Sequence, residues 1–349
     1  MCNIAGYVGQ KRAVPILIDM IRAQEGINGG FYTGIATIHE GKIYYAKLTG
    51  DLDRLLENSD AADLPGNIGI VHSRTKSGGG DGWAHPFVGY KDREVSTAYV
   101  ANGAGGYFLK YIDDASRIAT ELENTGYALN CKLVGEFSKS YPRLESGHVA
   151  HLSDVMCQLI QKKLDAGTDS AVAMGNAYCE MPAEIVGLML TLSEPDGIVW
   201  SRISKPMFVG FADHGAYLAS CPIAFPDDAS APTLLPQCAS GKVFGDHFTT
   251  LPYRNFNEKV YEIDALSEYE AYKAIFGELE NGPKSFSELL KAVRMSCKIE
   301  EGCFPDAHLV YGALYALNRR SMLRTVNERV NGVTENLSAP KTRFVLSKK

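Results

Sequence analysis

Apolar segments that come in pairs around tight-turn signals constrain this 349-residue chain more than any other feature. Ile35 to Ile38 and Lys42 to Lys47 flank a turn at Gly41. Ile185 to Leu192 and Gly197 to Ile203 flank Glu194-Pro195-Asp196, and Met207 to Phe211 and Ala216 to Ser220 flank Asp213-His214-Gly215. Strands joined by short turns pair antiparallel. Cys2 to Val8, Asn67 to Ser73 and Ser96 to Ala101 read as further strands. Arg12 to Arg22, with Pro15 near its start, and Ser153 to Leu164 carry the apolar stripes of helices. Helices set between paired strands predict two sheets packed face to face with helices outside.

The pattern changes near Ile263. Ser267 to Leu279, Ser285 to Val293 and Leu309 to Val330 read as helices, and Pro222 to Tyr253, rich in Pro, Gly, Asp and Ser, reads as loops. The expected organisation is therefore a domain over 1-255 and a mostly helical region over 256-349, the latter possessing the order of a winged-helix-like module. Arg319, Arg320, Arg324, Arg329, Lys341, Arg343, Lys348 and Lys349 make this end basic, which reads as a solvated face. The formal net charge of -6 gives no global reason to bind nucleic acid. No apolar run approaches the roughly 20 residues of a membrane span. The start, MCNIAGYVGQKRAV, has no secretory pattern. Eight cysteines, at 2, 131, 157, 179, 221, 238, 297 and 303, form no CxxC pair and no zinc spacing. They are expected to be reduced thiols in a cytoplasm, with no metal and no cofactor.

Cys2 carries the chemistry. A residue this small after Met1 permits removal of Met1, which leaves a thiol and a free α-amine on one residue. That amine titrates near about 7.7–8.0 and can serve the thiol as a base. Position alone is a weak signal, but three further segments follow it in order. They are His72-Ser73-Arg74-Thr75-Lys76-Ser77-Gly78-Gly79 running on to Ala84-His85-Pro86-Phe87, then Asn102-Gly103, then the strand pair of residues 201–225. With Cys2-Asn3-Ile4-Ala5-Gly6 they resemble, in order and spacing, the motifs of class II glutamine amidotransferases. The amidase half of glucosamine-6-phosphate synthase is the most similar in character.

The resemblance implies an α+β fold: a four-layer αββα N-terminal-nucleophile hydrolase sandwich of antiparallel sheets, with a mostly helical C-terminal extension. It implies that Cys2 attacks the side-chain amide of L-glutamine and passes through a thioester to glutamate and ammonia. The Asn102 side-chain amide and the Gly103 N–H are then the oxyanion donors. Arg74 holds the α-carboxylate as a bidentate fork, with Ser77 touching it. Glu145, placed by the run Ala150-His151-Leu152, faces the α-ammonium. Gly29 lies in the loop beside the cysteine. His72 and His85 read as structural partners rather than proton carriers.

The chain departs from the family at four places. Asn28 stands for an arginine, Phe31 for an aspartate, Thr75 for a tryptophan and Gly78 for a histidine. The Gly78 to Gly80 run predicts a flexible loop. Residues 256-349 are too few for the sugar-isomerase domains of the family's sugar-using members, and no P-loop is present. The expected ammonia acceptor is a synthase subunit or a homo-oligomeric partner. Two other readings stay open: a glutamine-sensing module with little turnover, and an amidohydrolase acting on another γ-glutamyl-type amide.

Overall fold

The computed structural model describes residues 2–135, 139–297 and 303–347; Met1, Lys348 and Lys349 lie outside them. In chain order the strands of the first part are β1 (Asn3–Gly9), β2 (Tyr32–His39), β3 (Lys42–Thr49), β4 (Ile68–Arg74), β5 (Phe87–Lys91), β6 (Glu94–Ala104), β7 (Glu184–Thr191), β8 (Glu194–Arg202), β9 (Phe208–Ala212), β10 (Gly215–Ala219), β11 (Thr233–Leu234), β12 (Ala239–Val243) and β13 (Leu251–Pro252). They form two antiparallel sheets, β11-β9-β10-β1-β4-β2-β3 and β13-β12-β8-β7-β6-β5. The expected hairpins are present, but the turn between β7 and β8 falls at Leu192-Ser193, and Glu194-Pro195-Asp196 opens β8. Helices α1 (Ala13–Asn28) and α2 (Leu52–Asn58) cover the first sheet. Helices α3 (Ile112–Asn124), α4 (Leu152–Asp165) and α5 (Ser170–Glu180) cover the second.

Three apolar layers hold this sandwich together. Ile4, Ile70, Val100, Leu188, Ile198 and Trp200 meet between the sheets. Val14, Leu17 and Ile21 of α1 lie on Ala5, Tyr7 and Val71. Met156 and Ile160 of α4 and Tyr178 of α5 lie on Tyr99, Ile185 and Met189. Strand β1 alternates between two buried faces, Ile4 toward the second sheet and Ala5 toward α1, so it reads as nearly continuous apolar sequence. This is the four-layer αββα arrangement. No helix among the described residues is long and apolar enough to cross a membrane.

The sequence reading missed α2, α3 and α5, although two of them carry a legible start signal. Asp51 caps α2 by accepting from Arg54 N–H, and Asp169 caps α5 by accepting from Ala171 and Val172 N–H. A second difference lies near the end of the chain. The helix expected from Leu309 to Val330 stops at Arg319. Ser321 then takes a left-handed φ of 57°, which turns the backbone out of the helix and into a strand.

The last part consists of α6 (Ala265–Glu280), β14 (Lys284–Ser285), α7 (Phe286–Ser296), α8 (Asp306–Arg319), β15 (Leu323–Asn331) and β16 (Ser338–Leu346), with sheet order β14-β16-β15. Ser285 and Glu288 form a capping box at the start of α7. The core of this part, Ile275, Leu289, Leu314 and Phe344 among others, runs on into Ile27 and Cys221 of the sandwich. Two contacts fix the ribbon, one on α1 and one at Asp51, the cap of α2. A Cβ at Gly26 would stand 2.5 Å from Thr342 Oγ1, and Arg329 reaches Asp51 at 2.6 Å. Gly26→Val is therefore expected to cost about 1–3 kcal/mol by overpacking. Denaturant unfolding measures the cost, and faster amide exchange over residues 323–346 would locate it.

Candidate active site

The site lies where the strand alternation of one sheet meets the end of a strand in the other. In the β1–β4 ladder Asn3 pairs with Ser73 and Ile4 with His72. Successive side chains alternate faces, so Cys2, Ile4, His72 and Arg74 share the face that looks at the second sheet. Ser73 looks the other way, toward α1. From the second sheet, β6 brings Asn102 and Gly103. The Cys2 N–H donates to Asn102 Oδ1 at 2.7 Å. Asn102 is fully buried, and its other amide atom, Nδ2, has no hydrogen-bond partner. A Cβ at Gly103 would stand 2.1 Å from Glu184 O, so the β6–β7 ladder admits only glycine there without shifting.

A cavity of about 300 Å³ opens at this point. Cys2, Arg74, Ser77 and Gly103 line it, as the sequence reading expected. Thr75, His85, Tyr141, His151 and Ser153 also line it, and these were not among the expected substrate residues. The signals for them were weak, because they come from a loop and from the start of α4 rather than from the cysteine's own sheet. Asn102, Glu145 and Gly29 are not part of the wall. Glu145 is exposed on a turn closed by Leu144 and His148, and its N–H donates to Thr120 Oγ1. Gly29 ends α1, its N–H on Glu25 O, and packs against Ser73 behind the sheet.

Arg74 is 1% exposed. Its Nη1 donates to Trp83 O at 3.0 Å and Gly78 O at 3.3 Å, and Nη2 approaches Tyr141 Oη at 3.5 Å. The guanidinium stacks on Tyr32, 4.5 Å from the ring centre. Among the described residues no carboxylate pairs with it, so a buried cation faces the cavity with carbonyls and an aromatic ring as its support. The Gly78 to Gly80 run has a geometric reason here. Gly78 and Gly79 take φ of 87° and 85°. A Cβ at Gly79 would stand 2.2 Å from the Trp83 ring, so glycine lets the loop fold back and return the Gly78 carbonyl to Arg74.

The imidazoles around the cavity differ in their state. Burial, followed by neighbouring His72, His151 and Arg74, pushes His85 well below the usual histidine range. Burial and then Arg74 do the same to His151. The His151 Nδ1 accepts from Ser153 N–H at 3.1 Å, so in this neutral ring Nε2 carries the proton. A cavity-lining N–H donor thus stands in the same wall as Arg74. The thiol of Cys2 moves in the other direction. Burial pushes it up, but the neighbouring His72, the amino terminus and the Thr75 backbone outweigh burial and bring it down to about 6. The sulfur lies 3.9 Å from Thr75 Oγ1. A thiol so placed is a thiolate at neutral pH, which is the nucleophilic form.

Behind the sheet lies a second polar cluster. Glu25 accepts from Ser73 Oγ, Thr33 Oγ1 and Leu52 N–H. Burial, with nearby Asp51 adding to it, raises this carboxyl to about 7. A raised carboxyl binds its proton more tightly folded than unfolded, so stability falls as pH rises from about 4.5 to about 7. Glu25→Gln is expected to remove about 2–3 kcal/mol of that pH dependence. Urea midpoints measured across this interval for both proteins test it; equal slopes would refute the assignment.

Comparison with known proteins agrees with the geometry. No family model matches the chain. In sequence it is 26% identical over 251 residues to glutamine–fructose-6-phosphate aminotransferase of Pyrococcus horikoshii, covering 71% of this chain and 37% of the relative. The enzyme of that name from Clostridium acetobutylicum is 27% identical over 222 residues, covering 63% and 31%. The chain thus matches only about a third of the length of these relatives. In fold it matches glutamine phosphoribosylpyrophosphate amidotransferase of B. subtilis with a TM-score of 0.59 at 15% identity, covering 87% of this chain and 65% of that one. An allosteric regulatory enzyme of purine biosynthesis matches with a TM-score of 0.58 at 17% identity, covering 79% and 58%. The resemblance to class II glutamine amidotransferases and the N-terminal-nucleophile fold stand on the sequence and fold similarities together.

Proposed function

We propose that this chain is a glutaminase of the amidotransferase type, in which Cys2 attacks the side-chain amide of L-glutamine once Met1 is removed. The observation that carries the reading is the pairing of Cys2 with Asn102. One atom of the Asn102 amide holds the Cys2 nitrogen, and the other is a buried, unused donor on the residue before cavity-lining Gly103. A tetrahedral oxyanion formed on the sulfur side would accept from Asn102 Nδ2 and from the Gly103 N–H. The same 2.7 Å contact tethers the α-amine that Met1 removal frees, in position to serve the hydrolytic water. Arg74 supplies the fork for the α-carboxylate, and His151 Nε2–H a further donor in that wall. Glutamate leaves after hydrolysis of the thioester. Ammonia goes to an acceptor on a synthase domain or partner, as the similarity to aminotransferases suggests.

In this reading residues 1-255 form the amidase domain and 256-349 a winged-helix-like module. The order helix, strand, helix, helix, strand, strand supports the second assignment. Nucleic acid is not its expected partner. Arg329 pairs with Asp51, Arg343 with Glu288 and Glu328, and Lys341 with Glu328, which neutralises much of the basic face. The described cysteines are all free thiols, which supports a cytoplasmic setting.

The test is release of ammonia and glutamate from L-glutamine by protein whose intact mass shows Met1 removed. Cys2→Ala is expected to abolish turnover. Asn102→Ala is expected to lower kcat about 10²–10³-fold. Arg74→Lys is expected to raise KM with a smaller effect on kcat, because the bidentate fork is lost. Glutamine binding without turnover would instead support a sensing module, and faster turnover of other γ-glutamyl amides would move the substrate.

A further inference from the structure

We propose that Glu184 is a positioning residue for the oxyanion side of the site: its backbone packs on Gly103, its carboxylate holds Tyr107 N–H, and Lys205 ties that carboxylate to Asp306 of α8. The inference rests on the proposed glutaminase, in which Gly103 N–H serves the oxyanion. Three observations carry it. Glu184 stands opposite Ala104 in the β6–β7 ladder, and the run Gly103, Ala104, Gly105 beside it lines the cavity. At one end of this run Gly103 lies so close to Glu184 O that a Cβ would stand 2.1 Å away. Beyond the other end Glu184 Oε1 accepts from Tyr107 N–H at 3.0 Å. Gly106, at a φ of 53°, folds onto the same side chain, where a Cβ would stand 2.4 Å from Glu184 Cδ. One residue thus grips the cavity-lining run from both sides.

The carboxylate is itself fixed from behind. Glu184 Oε2 pairs with Lys205 Nζ at 2.6 Å, and the same Nζ lies 3.8 Å from Asp306 Oδ1. Asp306 Oδ1 accepts from Ala307 N–H at 2.7 Å, and Arg294 of α7 pairs with Oδ2 at 2.5 Å. Lys205 sits in the turn between β8 and β9, where its carbonyl accepts from Arg202 Nε at 2.7 Å. Lys205 and Asp306 are 5% and 3% exposed. Removing one member of a buried ion pair leaves the other uncompensated, which is strongly unfavourable, so the alternating charges hold as a unit. The chain begins beside the cavity and ends on α7 and α8. The seating of the C-terminal part therefore bears on the run that holds Gly103.

The effect falls on turnover rather than on substrate binding. Arg74 and His151 take their hydrogen bonds from Trp83 O, Gly78 O and Ser153 N–H, not from this chain. An oxyanion donor acts when charge develops on the carbonyl oxygen, so displacing it lowers kcat and leaves KM nearly unchanged. A shift of about 1 Å at a catalytic group costs up to about 10²-fold in rate. Glu184 touches no reacting atom and exchanges no proton; it acts through Gly103 and Tyr107.

The experiment compares Glu184→Ala, Glu184→Gln and Lys205→Met in the full chain with Met1 removed. Two quantities are read: hydrogen exchange at the Tyr107 amide by NMR, and kcat and KM for L-glutamine. In Glu184→Ala the Tyr107 amide is expected to exchange at least about tenfold faster. Its kcat is expected to fall about 10–100-fold with KM within about twofold. Glu184→Gln keeps an acceptor oxygen for Tyr107 N–H and is expected to recover most of both. Lys205→Met is expected to shift both in the direction of Glu184→Ala. A folded Glu184→Ala protein with unchanged exchange or unchanged kcat overturns the proposal. So does a rise in KM alone, or a Glu184→Gln protein whose Tyr107 amide exchanges as fast as in Glu184→Ala. Should Glu184→Ala not fold, Lys205→Met is judged by the same two criteria. Exchange needs no substrate, so unsubstituted protein that leaves glutamine intact would refute the glutaminase reading, while the exchange rates still decide whether Glu184 and Lys205 hold the run.

Discussion

The hydrogen bond from Cys2 N–H to Asn102 Oδ1 is the constraint on which the site depends. It joins the entry to β1 in one sheet to the end of β6 in the other, across the core that Ile4, Val100, Leu188 and Trp200 fill. Sheets pack about 10 Å apart, so a side chain from each can meet at the midline. The packing of the sandwich therefore sets the distance between Cys2, just ahead of β1, and Asn102 in β6. Because Asn102 uses Oδ1 for this bond, Nδ2 is held in one direction, which is preorganisation in the sense that electrostatic catalysis requires.

Burial then sorts the ionisable groups. His85 and His151 are kept neutral because their charged forms would be desolvated beside Arg74. Cys2 is equally buried, yet its thiol moves down to about 6, because the neighbouring His72, the amino terminus and the Thr75 backbone outweigh burial. Arg74 lies in the same environment, supported by carbonyls and Tyr32. The cavity wall thus combines a lowered thiol with a buried guanidinium. Behind the sheet, Glu25 is raised by the same desolvation and ties Ser73 to α2.

The C-terminal part is more closely joined to the site than a tethered appendage would be. Helix α8 carries Tyr311, fully buried, with Asn3 and Asn28 beside its phenol. Lys205, paired with Glu184, also approaches Asp306 at the start of α8, and Glu184 accepts from Tyr107 N–H in the segment after Gly103. Strand β16 packs on the last turn of α1. One module thus braces the strand after Cys2, the end of α1 and the loop beyond the oxyanion donors.

The sequence alone determined the antiparallel hairpins and much of the helix–sheet order, and it singled out Cys2, Arg74, Ser77, Asn102 and Gly103 as candidates, because these depend on local periodicity and on motifs a few residues long. It did not place Glu145, whose distance from the cavity is set by how the turn from Leu144 to His148 folds against Thr120. It read Gly78 to Gly80 as looseness, where contact with Trp83 makes Gly79 a steric requirement. It implied a helix beyond Arg319, where Ser321 turns the chain into a ribbon that only β16 can pair. Only the tertiary structure decided the state of each imidazole and of the Cys2 thiol, since those depend on burial and on partners as far apart in the chain as Cys2, His72 and Asn102. Local sequence specifies which groups are available; the packing of two sheets specifies which of them carry charge.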